Sequence, residues 1–174
     1  MADQAGRLWP ATSAQSDAAA ARRILCIGIP VLDLTFRVQA VPPPGMKYSA
    51  DHFAEVCGGN ALNASVGITR LGGNARLTGP IGAPGETAGD VMLTMLAAEG
   101  IDAALVRMPG LQTPVSAIMI DPGGERTIIS FRDPRLWQVA LPDADALLDG
   151  CAAVLVESRC MIRRVLAGGF EDED

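Results

Sequence analysis

The sequence predicts an α/β fold in which helices pack against a central parallel β-sheet. Of the 174 residues, 49% are apolar and only 4% are aromatic, so the core must be built from Ala, Val, Leu and Ile. Such a composition suits helices that cover a parallel sheet. Strand-like and helix-like apolar patterns also alternate along the chain, which favours right-handed βαβ units. The length allows one domain with a sizeable core but not two of ordinary size.

The N-terminal residues 1–22 are predicted to form a disordered leader, because they are rich in Ala, Ser, Asp and Gln and show no apolar periodicity. A secretion signal is disfavoured because Pro30 and Asp33 interrupt the apolar run that follows. No stretch approaches the roughly 20 apolar residues of a membrane span. We therefore expect a cytoplasmic protein without a membrane partner.

The net charge and the spacing of the cysteines limit which binding partners and metal ions we expect. The formal net charge is -6, and the sequence lacks the clustered Lys and Arg that binding to phosphate backbones requires. We therefore expect no nucleic-acid partner. The four cysteines form no C-x-x-C pair and have no zinc spacing, which suits reduced thiols.

The first core strand is predicted at residues 24–29, and Asp33 follows it closely. Ligands of open α/β sheets gather beyond the carboxyl ends of the strands, so Asp33 is a candidate substrate contact. A carboxylate there can accept hydrogen bonds from two sugar hydroxyls at once. The alternative is that Asp33 only forms a turn.

The central helix is predicted between the diglycine Gly58-Gly59 and a second glycine pair at residues 72–73. Its first turn offers free N–H groups beside a backbone that a ligand can approach closely. Asn60 and Asn63 are three residues apart and face the same side of that turn. Their amides suit a polyhydroxylated ligand, although Asn60 could instead serve only as the helix cap.

Other segments complete the predicted architecture. Two segments of mixed polarity, 34–38 and 46–56, cannot lie in a sheet covered on both faces, so we expect them to form a small flap outside it. A hairpin over residues 114–131 is a natural second pair for the flap. His52, in the flap, is more typical of a surface residue than of a base or metal ligand.

The remaining core elements are a strand at 75–82, a helix starting at Thr87 with Asp90 as its capping partner, a strand at 101–107, a short helix at 144–148 and a strand at 152–156. The pattern breaks after residue 158, because a parallel sheet needs a crossover and then another strand. We interpret residues 160–174 as a divergent tail.

Taken together, these motifs resemble the N-terminal half of the ribokinase-type (PfkB) carbohydrate kinases, over roughly residues 23–159. The matching motifs, in chain order, are Gly28-x-x-x-x-Asp33, Gly58-Gly59-Asn60-Ala61-x-Asn63-Ala64, Leu71-Gly72-Gly73, Ile81-Gly82 through Gly89-Asp90, and Glu99-Gly100-Ile101. The resemblance implies a three-layer α/β sandwich with a parallel central sheet and a β-sheet lid. It also implies that ATP, with Mg²⁺, phosphorylates a sugar hydroxyl, and that the lid contributes to a homodimer.

By the same resemblance, five residues fall on the positions that grip the sugar hydroxyls. They are Asp33, Gly58, Gly59, Asn60 and Asn63. The lid strands would lie around residues 34–38, 48–56, 115–120 and 126–131.

The sequence lacks the motifs that the family carries later in the chain: a G-A-G-D motif with the catalytic base, an N-x-x-E motif and an adenine pocket. The stretch Thr87-Ala88-Gly89-Asp90 imitates the first only superficially. We therefore expect no catalytic residue and no ATP or Mg²⁺ ligand in this chain, whose C-terminal half would be missing. The alternative function is a catalytically incompetent, truncated fragment that binds sugar or dimerises. A dinucleotide-binding oxidoreductase is disfavoured, since G-x-G-x-x-G does not follow the first strand.

A branch of the family that acts on sulfofructose is the most similar in places. The similar segments are Met46-Lys47-Tyr48, Ser116-Ala117-Ile118-Met119, Gly124-Glu125-Arg126 and Glu157-Ser158-Arg159. Cations near these places meet a sulfonate in that branch, which implies that Lys47 and Arg159 contact an anionic substituent. The alternative is an exposed lid lysine and a structural arginine.

Overall fold

The computed structural model of the chain describes residues 22–139 and 144–157. The predicted tail, the predicted leader apart from Arg22, and Arg159 lie outside the described residues. The elements in chain order are β1 Arg23–Ile27, β2 Val31–Arg37, β3 His52–Gly58, α1 Asn60–Arg70, β4 Asn74–Ile81, α2 Thr87–Ala98, β5 Asp102–Arg107, β6 Val115–Ile120, β7 Arg126–Phe131, a 3-10 helix Pro134–Gln138, α3 Ala144–Leu148 and β8 Cys151–Val156.

The central sheet has the strand order β5-β4-β1-β8, and each neighbouring pair is parallel. Side chains of β1 alternate between its two faces, as the period of a strand requires. Cys26 packs into a core with α1 and α2, whereas Leu25 and Ile27 pack on the opposite face against Leu136 and Leu147. The sheet is therefore covered on both sides, and the predicted three-layer α/β arrangement is confirmed.

The second sheet is a lid with the order β3-β2-β6-β7. Strands β2 and β6 are parallel, and each forms an antiparallel pair with its outer neighbour. The predicted flap and hairpin thus join through β2 and β6 into one sheet. Strand β2 begins at Val31, earlier than the polarity pattern indicated, because Val31 and Leu32 are buried and Leu32 N–H donates to Pro114 O at 2.9 Å.

The structure differs from the sequence analysis at the N-termini of both long helices. Gly59, with φ of 100°, is the N-cap of α1, and no side chain caps that helix, so the alternative in which Asn60 serves only as the cap does not hold. The expected capping role of Asp90 in α2 is wrong. The N-cap of α2 is Glu86, whose carboxylate accepts hydrogen bonds from the N–H groups of residues 88 and 89. Asp90 instead forms a 2.7 Å ion pair with Arg107. Glutamate is not a favoured N-cap residue, so the sequence rule overlooked it.

A hydroxyl outside the helix explains why Glu86 takes this position. Thr113, just before β6, donates from Oγ1 to Glu86 Oε2 at 2.6 Å and accepts from Gly82 N–H at 3.0 Å. The cap therefore depends on a residue 27 positions away in the chain. Within the described part of the chain, none of the helices is long and apolar enough to cross a membrane.

Candidate functional site

The candidate site lies where the lid strands join the core. The segment between β1 and β2 passes directly under the diglycine that precedes α1. A Cβ atom on Gly59 would lie 2.8 Å from Ile29 O and 3.3 Å from Pro30 Cα. Because these are backbone and ring atoms that cannot easily move, and because φ is positive, only glycine fits here.

Asp33 lies against the other glycine of the pair. In the register of β2 and β3, Val31 is opposite Gly58 and Asp33 is opposite Val56. A Cβ atom on Gly58 would be 2.2 Å from Asp33 Oδ2, so the carboxylate occupies the space that a side chain would fill. Asp33 therefore lies inside a lid strand and not in a turn, and its carboxylate lies against the glycine that is two residues before the start of α1.

Asn60 and Asn63 lie in the first turn of α1 and are both exposed. Among the described residues, neither side-chain amide has a hydrogen-bond partner. Asn63 also lines a cleft of about 440 Å³ between β3, α1 and α2. Both amides are thus free to bind a ligand beside the helix N-terminus.

The charge on Asp33 is set by its surroundings in the lid. Partial burial raises the pKa of the carboxyl group, while a hydrogen bond from Ser116 and the positive charge of Arg132 act in the opposite direction. Ser116 is the register partner of Asp33 on β6. Its hydroxyl is 3.0 Å from the hydroxyl of Ser130 on β7. Asp33 therefore belongs to a polar row that crosses the lid.

Cys57 lies beside Gly58 on the opposite face of β3. Burial, followed by the negative charges of Asp33 and Glu99, raises the pKa of this thiol to about 11. Its sulfur lies 3.3 Å from the sulfur of Met95 on α2. Cys57 is therefore a protonated packing residue at neutral pH and not a nucleophile.

Glu157 belongs to the same region, and the sequence reasoning did not propose it as a site residue. Its Oε2 accepts a hydrogen bond from Ile29 N–H at 3.0 Å, and its own N–H donates to Ile27 O at 2.9 Å. A Cβ atom on Gly28 would be 2.1 Å from Glu157 Oε2 and 2.5 Å from Ala61 Cβ. The carboxylate is therefore next to the first turn of α1. The signal that could have identified Glu157 is the one that identified Asp33: a polar residue that follows a buried core strand.

The structure does not bring Lys47 into contact with Asp33. Lys47 is exposed in the loop that connects the far ends of β2 and β3, and it forms no ion pair with a described residue. The last pair of those strands, Arg37 and His52, is four residues from Asp33, about 13 Å along the strand. His52 is exposed, as expected. The residue expected to act with Lys47, Arg159, is outside the described residues.

The described residues contain no group of three or more His, Cys, Asp or Glu side chains that could hold a metal ion. The site thus consists of carboxylates, amides, hydroxyls and backbone N–H groups at the junction of core and lid. These are the groups by which proteins bind polyhydroxylated molecules.

A parallel sheet covered by helices, with a β-sheet lid at the carboxyl ends of its strands, defines a class of α/β proteins with a small-molecule site beneath the lid. The profile of the pfkB family carbohydrate kinases matches residues 21–159, so the chain belongs to that family.

Solved structures with a similar fold include the following three proteins. A candidate ribokinase from Agrobacterium tumefaciens is 33% identical, with a TM-score of 0.72, and the match covers 78% of this chain and 44% of that protein. The ribokinase from Giardia lamblia is 24% identical, with a TM-score of 0.64 and the same two coverages. A ribokinase from Cryptococcus neoformans in complex with ADP is 23% identical, with a TM-score of 0.56. That match covers 78% of this chain and 40% of that protein. The chain therefore spans less than half the length of these proteins.

Proposed function

We propose that this chain carries the sugar-binding half of an ATP-dependent carbohydrate kinase. The observation that carries the proposal is the contact between Asp33 and Gly58, which holds a partly buried carboxylate beside the N-terminus of α1. Asp33 would accept hydrogen bonds from two sugar hydroxyls, and Asn60 and Asn63 would bind others. The backbone of Gly58 and Gly59 would allow the sugar to approach closely.

ATP use follows from membership of the family. The γ-phosphoryl group would pass in line to the sugar hydroxyl that these residues orient, with Mg²⁺ neutralising charge on the phosphates. We assign no residue of this chain to the proton transfer or to the nucleotide. The contribution of the described residues is to orient the acceptor hydroxyl and to exclude water beneath the lid.

A second candidate is a sugar-binding or dimerising fragment without kinase activity. It rests on the same contact between Asp33 and Gly58, which would bind a sugar without a nucleotide. Isothermal titration with a panel of sugars, and separately with ATP and Mg²⁺, distinguishes the two candidates. Binding of both ligands with formation of sugar phosphate supports the kinase, whereas sugar binding alone supports the fragment.

Asp33→Asn tests the sugar site in either case. We expect at least a tenfold loss of sugar affinity, because a charge-assisted hydrogen bond contributes about 1.5–3 kcal/mol. Asp51→Asn is the matched control, since Asp51 is exposed near the far end of the lid and its carboxylate accepts a hydrogen bond from Gln39 there. The proposal fails if the folded chain binds no sugar, or if Asp33→Asn binds sugar as well as the parent protein.

We also propose that the lid forms a homodimer. Strand β7 is an edge strand, and all six of its residues are exposed, including Ile129 at 67%. Exposed apolar side chains on an edge strand favour a protein partner. Ile129→Ser should convert the dimer to a monomer in sedimentation experiments, whereas Leu71→Ser, at the end of α1, should not. A parent protein that sediments as a monomer contradicts the proposal.

We also propose that Lys47 and Arg159 contact an anionic substituent on the sugar. The support is their sequence similarity to the branch that acts on sulfofructose. Lys47 has no acidic partner within the described part of the chain, so its ammonium group is available to a ligand.

A further inference from the structure

We propose that the cleft between β3, α1 and α2 is a second small-molecule site, and that its ligand is an apolar amine. Such a ligand has a hydrocarbon or aromatic body and one ammonium group. The site lies on a different face of the lid from the one that holds Asp33, and the inference does not depend on the proposed function.

The cleft lies behind the lid, between the lid and the core helices. Side chains alternate along a strand, and residues that pair across two strands share a face. Asp33 pairs with Val56, whereas Cys57 pairs with Leu32. Leu32 packs into the core with α1 and α2, so Cys57 and, two residues earlier, Glu55 face these helices. A ligand in the cleft would therefore contact the lid from the side opposite Asp33.

The size and the wall of the cleft suit a small apolar molecule. Its volume is about 440 Å³, and ligand pockets occupy about 300–1,000 Å³. All three elements contribute uncharged side chains to the wall, which are Cys57, Leu62, Val66, Met95 and Leu96. The pKa of the Cys57 thiol is about 11, so this group is neutral at neutral pH. Its sulfur lies 3.3 Å from that of Met95, which makes part of the wall polarisable.

Three charged residues also line the cleft, and these are Glu55, Arg70 and Glu99. Arg70 and Glu99 neutralise each other, because Nε of the arginine donates to Oε2 at 2.9 Å and Nη2 donates to Oε1. Glu55 is exposed, and its carboxylate has neither an ion pair nor a hydrogen bond with any residue that the structure describes. One uncompensated negative charge is therefore left beside the apolar wall, and an ammonium group complements it.

The same features disfavour two other classes of ligand. A polyhydroxylated molecule would bury hydroxyls against the apolar wall without partners. An anion would be repelled by Glu55. Asn63 is the one proposed sugar contact among the described residues that line the cleft. The cleft and the proposed sugar site are thus neighbours with different chemistry.

The test uses three probes that share a phenyl ring on a four-carbon chain: 4-phenylbutylamine, 4-phenyl-1-butanol and 4-phenylbutyrate. Titration with NMR detection of the backbone amides measures affinity and locates the bound probe. We expect the amine to bind with a dissociation constant of about 1 mM or lower and to shift amides of β3, α1 and α2. It should bind about threefold or more tightly than the alcohol, and about tenfold or more tightly than the anion, with a preference that weakens in high salt.

Variants assign the charge preference and the location. Glu55→Gln should bring the affinities for amine and alcohol within about twofold of each other, because the attraction to the ammonium group is lost. Glu125→Gln is the matched control, since Glu125 is also exposed and lies in the turn between β6 and β7, outside the lining of the cleft. Val66→Phe should weaken all three probes about tenfold or more, because the added ring takes up space in the cleft. Thermal unfolding checks that each variant folds.

Three results would overturn the inference. The first is an absence of binding by the amine, or amide shifts confined to residues outside the cleft. The second is equal affinity for the three probes, which would remove the ammonium group from the definition of the ligand. The third is an equal loss of preference in Glu55→Gln and Glu125→Gln, which would trace it to net charge. Failure of sugars to bind would contradict the proposed function alone.

Discussion

Replacing Gly58 by alanine would test whether the site depends on the contact between this glycine and Asp33. The added Cβ would lie 2.2 Å from Asp33 Oδ2, whereas ordinary contacts begin at 3.4 Å. The carboxylate must therefore move by about 1 Å. Because the obstructing atom is the end of a side chain, the strand itself need not move. A displacement of this size disturbs hydrogen bonds to a bound ligand.

The effects on stability and on binding should differ for Gly58→Ala. Lower entropy of the unfolded chain stabilises the variant by about 0.5–1 kcal/mol, and weakening of the Ser116 hydrogen bond costs about 1 kcal/mol. The net change in the free energy of unfolding should thus be small. Loss of one or two hydrogen bonds that Asp33 accepts from sugar hydroxyls should lower the affinity by about 10- to 100-fold. Urea unfolding and titration calorimetry measure the two quantities.

Gly67→Ala is the matched control for this experiment. Gly67 lies in the middle of α1, and its added Cβ would have no neighbour within 4 Å. We expect it to stabilise the protein by about 0.5–1 kcal/mol without changing sugar affinity. Sugar affinity of Gly58→Ala equal to that of Gly67→Ala would refute the role assigned to the Asp33 contact.

Three further predictions concern the cap, the charge of Asp33 and the thiol of Cys57. Glu86→Ala should destabilise the protein by about 1–2 kcal/mol, because two N–H groups and the Thr113 hydroxyl lose their acceptor, whereas Asp90→Ala should cost less than about 1 kcal/mol. Asp33→Asn should be more stable than the parent at pH 7, because burial raises the pKa of Asp33 and ionisation therefore disfavours the folded state. With a pKa of about 11, Cys57 should be about one-thousandth thiolate at pH 8, so iodoacetamide should modify it hundreds of times more slowly than a cysteine peptide.

Each of these predictions has a measurement and a contrary result. For the cap, urea unfolding of the two variants should rank Glu86→Ala as the weaker protein, and the opposite order would restore Asp90 as the capping partner. For Asp33, the advantage of the asparagine variant should shrink as the pH falls from the folded-state pKa toward the unfolded value of about 3.9, since both states then bind the proton. A constant difference contradicts the pKa argument. For Cys57, peptide mapping after alkylation measures the rate, and rapid labelling contradicts the assigned burial.

The sequence could identify site residues that follow local patterns, but not the contacts that depend on long-range pairing of strands. Asp33 was proposed because it follows the first strand, and the diglycine and the two asparagines because they stand at the start of the predicted central helix. The contact of Asp33 with Gly58 could not be predicted, because it depends on the register of β2 and β3. Glu157 reaches Ile29 across 128 residues, and no local pattern encodes that pairing.

The sequence by itself determined the α/β class, the positions of the core strands and helices to within a few residues, and membership of the carbohydrate kinase family. These properties follow from local periodicity, glycine placement and motif spacing, which act over a few turns or strand residues. Only the tertiary structure decided that Asp33 lies within the lid, that Glu86 caps α2, and that the carboxylate of Glu157 accepts a hydrogen bond from Ile29 N–H. The reason is physical: strand register, and hydrogen bonds between residues that are distant in the chain, depend on which segments meet in space.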